Sequence, residues 1–235
     1  MLDVPFGTAS QNQIPTTSCP AETFPALDAL PHVRAVFLRR APGVDVQTDR
    51  ASALARLGDI HRATKDALGF EGMPLATAEQ VHGCEVAVVD ASGRVFFPGC
   101  DGLLTTARGV CLGIYVADCA AVYLADRFAR GIALVHSGKK GTALGIVPRA
   151  VEMLCRACGA LPADLVVQIG PCIRPPHYET DFAAEIIRQA GAVGVRDVHD
   201  CGSCTASDPE AYYSYRREMG RTGRMLALVG MVDPA

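Results

Sequence analysis

An α+β fold with mixed β-sheets flanked by helices is predicted by three observations. Strand-like and helix-like segments interleave without the regular βαβ alternation of a doubly wound parallel sheet. Three closely spaced apolar runs, residues 110–117, 121–125 and 131–135, have the length of buried strands. A chain of 235 residues holds one sizeable core rather than two, so a single domain is expected.

The elements follow in order. Residues 1–30 are rich in Pro, Thr and Ala without periodicity and read as a loosely packed N-terminal extension, leaving 31–235 as the domain. Residues 33–38 (VRAVFL) read as a strand. Leu54, Leu57, Ile60, Ala63 and Leu68 fall near one face of a helix over 52–68. A strand is expected at 85–90, a turn-rich crossing at 93–102, and then the three apolar strands. Residues 142–158 read as a helix that Pro148 either kinks or opens. A strand at 165–169 and a helix at 181–190 come next. Asp208-Pro209 looks like an N-cap followed by Pro at N1, so a helix is expected over 208–217, before a last strand at 224–229.

Composition excludes several classes of function. Twenty-two basic against 25 acidic side chains leave a net charge of −3, without the electrostatic footprint of a nucleic-acid binder. The N-terminus has neither a basic nor an apolar stretch of a secretory signal, and no run reaches the roughly 18 apolar residues of a membrane span. The ten cysteines are then expected in a reducing cytoplasm as buried side chains, metal ligands or nucleophiles.

Three residues stand at strand ends beside small neighbours: His82 in QVHG, Cys119 in VADC and His136 in VHSG. Two imidazoles and a thiolate form a borderline-soft set for zinc, with a fourth tetrahedral position open. A Cys–His nucleophile and base is the alternative. Taken singly, a histidine at a strand end is more often hydrogen-bonded structure, and a cysteine after an apolar strand a small buried hydrophobe.

The ordered set changes that weighting. QVHG (80–83), CDGLLT (100–105), VADC (116–119), VHSGKKG (135–141), GPCIRPPHYE (170–179), CT (204–205) and YYSYRREMGRTGR (212–224) together resemble the laccase-domain family, described both as multicopper polyphenol oxidases and as purine nucleoside phosphorylases. The resemblance implies a single-domain α+β fold and zinc held by His82, Cys119 and His136. It also implies phosphorolysis of adenosine, inosine, guanosine or methylthioadenosine, with adenosine deamination as a side activity. The expected partners are thus a purine nucleoside and phosphate. The catalytic residues it implies are the same Cys119, His82 and His136. Gln80, Lys139, Lys140 and either Arg40 or Arg62 match positions near the site and are expected to contact substrate or phosphate. Lys139-Lys140 stands where the family usually has Trp-Arg, which trades a planar fork for point charges. His61-Arg62 stands for the usual Asn-Arg.

Multicopper chemistry is not expected. Six histidines, at 32, 61, 82, 136, 177 and 199, include no His-x-His pair for a trinuclear cluster. The zinc deaminase signature His-x-Glu with Pro-Cys-x-x-Cys is missing too. Two rivals remain: a metal-free cysteine hydrolase using Cys119 and His136, and a purine-binding protein that has lost turnover.

Among the other candidates, Cys155-x-x-Cys158 and Cys201-x-x-Cys204 lie too far apart for a zinc ribbon. Arg216, Arg217, Arg221 and Arg224 read mainly as a solvated helix end, with one of them a candidate for phosphate. His177 and Glu179 are weak candidates for a proton shuttle, and Asp118 reads as structural support beside Cys119.

Overall fold

The structure is a computed structural model and describes residues 18–233. Two mixed six-stranded sheets face each other. The first runs β1 (Ala21–Glu22), β2 (Val33–Leu38), β12 (Met225–Met231), β7 (Cys111–Val116), β3 (Leu75–Ala78), β5 (Phe96–Phe97). Its pairings are antiparallel as far as β7 and parallel beyond it. The second runs β11 (Asp197–Asp200), β10 (Leu165–Ile169), β8 (Ala120–Asp126), β9 (Ile132–Ser137), β6 (Gly102–Thr105), β4 (Val86–Val88), with parallel pairs only at its two edges.

The four inner strands of the second sheet, β10, β8, β9 and β6, are buried on both faces, which is why the runs at β8 and β9 read as unbroken apolar segments. Ala121, Tyr123, Leu103 and Leu134 join Phe37, Leu112 and Leu228 of the first sheet in one core. Val122, Leu124, Leu104 and Val135 turn the other way, onto helices α4 (Ile146–Cys158) and α5 (Phe182–Ala192). Tyr123 Oη donates to the Val36 carbonyl at 3.0 Å, tying the two sheets through a buried hydrogen bond.

Helix α2 (Arg50–Lys65) starts two residues before the sequence reading placed it. Asp49 caps it by accepting from Ser52 N–H at 3.0 Å. The expected tail to Leu68 is instead a wide π-type turn, Asp66–Phe70, turned at Gly69. The single helix expected over 142–158 is two, α3 (Lys139–Ala143) and α4, separated by Gly145 at φ +75°, a left-handed position that ends the first helix. Pro148 lies in the first turn of α4 and opens it without a kink.

Two expectations are corrected. Residues 208–217 form turns, not a helix: Asp208 accepts from Glu210 and Ala211 N–H, as in an Asx turn. Side chains then take the backbone, since Arg216 N–H donates to the distant Asp118 and Ser214 N–H to Glu218 four residues on. The loose extension expected over 1–30 lies outside the described residues as far as 17. From Ser18 onward the chain is tied in, because Cys19, Phe24 and Leu27 are buried and α1 (Pro25–Asp28) packs beside β2. Among the described residues no helix is long and apolar enough to cross a membrane.

Candidate metal centre

Two chain segments pass from the first sheet to the second at the same end of the molecule. One joins β3 to β4 and carries His82; the other joins β7 to β8 and carries Cys119. His136 lies near the end of β9, opposite Ala121 of β8. The ligand atoms of His82, Cys119 and His136 all lie within 4.8 Å of one another. The two imidazoles meet edge to face at 4.9 Å. A Cβ on Gly138 would sit 2.4 Å from Cys119 Sγ, so a glycine is needed there to admit the sulfur. Three non-glycine residues around the centre adopt left-handed backbone, Gln80 (φ 67°), His82 (φ 61°) and Asp118 (φ 83°). Such local strain is tolerated where the surroundings fix a site.

Asp101 supplies that constraint. Its fully buried carboxylate accepts from the backbone N–H of Val81 (3.2 Å), His82 (2.8 Å) and Gly83 (2.6 Å), and from His136 Nδ1 at 2.8 Å. Holding Nδ1–H this way leaves His136 Nε2 for the cluster, the usual carboxylate–histidine support of a metal ligand. Burial works against ionising Asp101, but His136 and these N–H groups outweigh it and hold the carboxyl below its ordinary value. Burial likewise disfavours the Cys119 thiolate, yet hydrogen bonds from His136 and His82 bring the thiol down to about 6. Asp101 and Cys119 overcome burial to hold His136 up at about 9. The contacts within the centre thus favour the thiolate of Cys119 and the charged form of His136, and a bound metal would displace the proton they share. Donor chemistry, the oriented histidine and the room for sulfur all fit a bound metal ion.

The centre opens into a cavity of about 870 Å³, within the roughly 300–1,000 Å³ of small-molecule sites. Its walls include Tyr115, Tyr178, Phe182, Tyr215 and the cations Arg50, Lys139, Lys140, Arg216 and Arg224. Lys139 pairs with Glu179 at 3.0 Å, which also lies 3.4 Å from Arg216. That places Glu179 at the cavity rim as a counter-ion, while His177 is exposed. Asp118 accepts from Thr205 Oγ1 and Arg216 N–H, both at 2.7 Å, and so holds two loops against the site as structural support.

Not every expected residue is at the cavity. Gln80 lines it, but its amide is engaged by the Tyr115 backbone, donating to the carbonyl at 2.6 Å and accepting from the N–H at 3.1 Å. Arg40 binds the Tyr212 carbonyl and Glu218 and stacks on Tyr213 at 4.3 Å, away from the lining. Arg62 is exposed on α2 and pairs with Asp59. Neither faces the cavity. Arg50, at the first position of α2, lines the cavity instead, ten residues after Arg40 and twelve before Arg62.

The family model described as multi-copper polyphenol oxidoreductase laccase matches residues 47–189 and 177–232. The chain belongs to that family. A protein of Deinococcus radiodurans named purine nucleoside phosphorylase is 34% identical over 86% of this chain and 90% of its own length. One of Corynebacterium glutamicum with the same name is 31% identical over 86% of this chain and 96% of its own. The crystal structure of YlmD from Geobacillus stearothermophilus superposes with a TM-score of 0.76 at 26% identity, covering 89% of this chain and 94% of that one. His82, Cys119 and His136 form the only cluster of three or more candidate ligands among the described residues. The cysteine pairs at 155/158 and 201/204 are outside it, and all ten cysteines are unpaired.

One buried histidine is left over. His61 on α2 is buried with neither ring nitrogen hydrogen-bonded, and it stacks on Tyr115 at 5.9 Å. Burial pushes it down to about 4, so it is neutral at pH 7. Between the ordinary value near 6.5 and 4, the unfolded chain binds a proton that the folded chain does not, and stability falls as pH falls. The loss between pH 7 and pH 5 is expected to be about 2 kcal/mol. Urea unfolding at both pH values checks it: His61→Phe, which keeps the stack, should remove that part of the acid loss, and an unchanged pH dependence would refute the assignment.

Proposed function

We propose that this protein is a zinc-dependent purine nucleoside phosphorylase acting on adenosine, inosine, guanosine or methylthioadenosine, with adenosine deamination as a side activity. The observation that carries the reading is the convergence of His82, Cys119 and His136 in the lining of a cavity large enough for a nucleoside, in a chain whose curated relatives bear that name. One thiolate and two imidazoles favour zinc among the divalent ions. Held there, zinc supplies Lewis acidity toward a phosphate or substrate oxygen.

The chain's own residues do the rest. Tyr115, Tyr178, Phe182 and Tyr215 offer aromatic walls against which a purine ring is held out of water. Cys119, His82 and His136 are the working residues, and Asp101 keeps His136 in one tautomer. Lys139 and Lys140 add positive field for phosphate, Lys139 with its charge shared by Glu179. In the reaction a phosphate oxygen bonds to the anomeric carbon, and the glycosidic bond breaks with its electron pair going to the purine. The proton carried by hydrogen phosphate ends on the released base, giving ribose 1-phosphate. A cytoplasmic location belongs to the same reading and is consistent with ten unpaired cysteines.

The test is direct. Purified protein incubated with adenosine should release adenine only when phosphate is present, and His82→Ala should lose that release. Inosine formed without phosphate would make deamination the main reaction. No product from any purine nucleoside would overturn the proposal.

A further inference from the structure

Arg224 stands immediately before β12, is only 9% exposed, and lines the cavity. Its Nη1 donates to the carbonyls of Thr222 (2.9 Å) and Gly223 (2.8 Å). Its other two nitrogens have no hydrogen-bond partner, and it has no salt bridge, among the described residues. The contrast with the other partly buried arginines is sharp: Arg40 is paired with Glu218, Arg130 with Asp126 and Asp164, and Arg174 with Asp200. A buried guanidinium without a carboxylate is costly, and a fold that keeps one in a cavity wall holds it ready for an anion.

The surroundings strengthen the point. Arg50 lines the same cavity, and its sole hydrogen bond is a long one, 3.4 Å to the Glu79 carbonyl. Burial and then the charge of Arg50 hold Arg224 below its ordinary value, while Tyr215, Cys119 and Asp118 act the other way. The carboxylates on the lining do not neutralise the pair. Asp49 is taken up by capping α2, and Asp118 by Thr205 and the Arg216 N–H. Of the remaining cations, Lys139 and Arg216 share Glu179, whereas Lys140 has no ion pair among the described residues.

We propose that Arg224 and Arg50, joined by Lys140, form a phosphate-binding subsite beside the His82–Cys119–His136 centre. The planar fork of Arg224 presents two free donors to a tetrahedral oxyanion, and Arg50 adds a second fork from the start of α2. This assigns the phosphate contact to residues 50 and 224 in place of Arg40 and Arg62. Resting on the phosphorylase reading, it makes inorganic phosphate the expected occupant; a phosphate ester on a nucleoside shares the same chemistry and is separated from it by the test.

Calorimetric titration of the full chain with inorganic phosphate alone, adenosine 5′-monophosphate, and adenosine provides that test. Inorganic phosphate should bind the unaltered protein, and both Arg224→Lys and Arg50→Ala should weaken it about tenfold or more. Adenosine affinity and metal content should stay within about twofold, and in turnover KM for phosphate should rise while KM for nucleoside holds. Arg50 is exposed, so Arg50→Ala decides the matter even if Arg224→Lys fails to fold. Arginine-dependent phosphate binding in a protein that never releases base would uphold the subsite and defeat phosphorolysis. Arginine-dependent binding of the monophosphate alone would uphold a phosphate-ester subsite and likewise defeat phosphorolysis. Phosphate affinity unchanged in both variants would overturn the proposal.

Discussion

Cys119→Ala is expected to empty the centre and to lower turnover of purine nucleosides by about a thousandfold or more. Zinc content should fall from about one ion per chain to a small fraction of that, because two imidazoles alone make a weak site. Folding should persist, since the Cys119 sulfur bonds only to the two histidines, but the stabilisation contributed by bound metal is lost. The same residue separates the metal enzyme from a metal-free cysteine hydrolase. Without metal the thiol sits at about 6 and is largely thiolate at neutral pH, open to alkylation from the cavity. With metal bound, the thiolate's electron pair is occupied. Chelation should therefore abolish activity and speed iodoacetamide labelling of Cys119, and added zinc should reverse both. Full activity after chelation, with Cys119 labelled equally fast before and after, would transfer the site to the hydrolase reading.

Much of the fold was legible where burial is two-sided. Strands 33–38 and 165–169 match their predicted bounds to the residue; the second is buried throughout and the first at every position but Arg34. The helix expected over 208–217 failed for the opposite reason. Its capping signal is local, and two side chains override it: Asp118, far away in sequence, takes the Arg216 N–H, and Glu218, four residues on, takes the Ser214 N–H. The three residues that converge were visible through the order of their motifs rather than their spacing, since two crossings between sheets bring them together. Asp101 lay within the quoted CDGLLT segment, yet its role depends on residues 81–83 and 136, and no local pattern announces such a latch. The arginines show the limit most plainly. Arg40 and Arg62 match by register, whereas the cavity is lined by Arg50, which begins α2, and Arg224, which stands immediately before β12.

Asp101→Ala is expected to cost the most in stability. Removing this carboxylate strands four donors at once, the N–H groups of residues 81, 82 and 83 and the Nδ1–H of His136, in a place where the acceptor itself was fully buried. Breaking a buried charge network of this kind costs about 3–5 kcal/mol, a large share of the roughly 5–15 kcal/mol that holds a domain together. The melting temperature should fall by about 10 °C. Asp101→Asn keeps the shape but turns an NH₂ group toward backbone donors, so it should lose less stability while still releasing His136 from its fixed tautomer. Its metal affinity should drop about 10–100-fold with the three ligands intact. The two readouts separate the roles: a latch for the left-handed turn at His82 shows in the melting temperature, and an orienter of His136 shows in zinc affinity. The sign with pH follows from the lowered carboxyl. Its contribution is complete above the ordinary carboxylate range and is lost as pH falls through the folded-state value, so the gap between Asp101→Ala and the unaltered protein should close in strong acid. If Asp101→Asn binds zinc as tightly as the parent and melts with it, the carboxylate is neither latch nor orienter, and left-handed backbone at His82 must be held by the chain crossing alone.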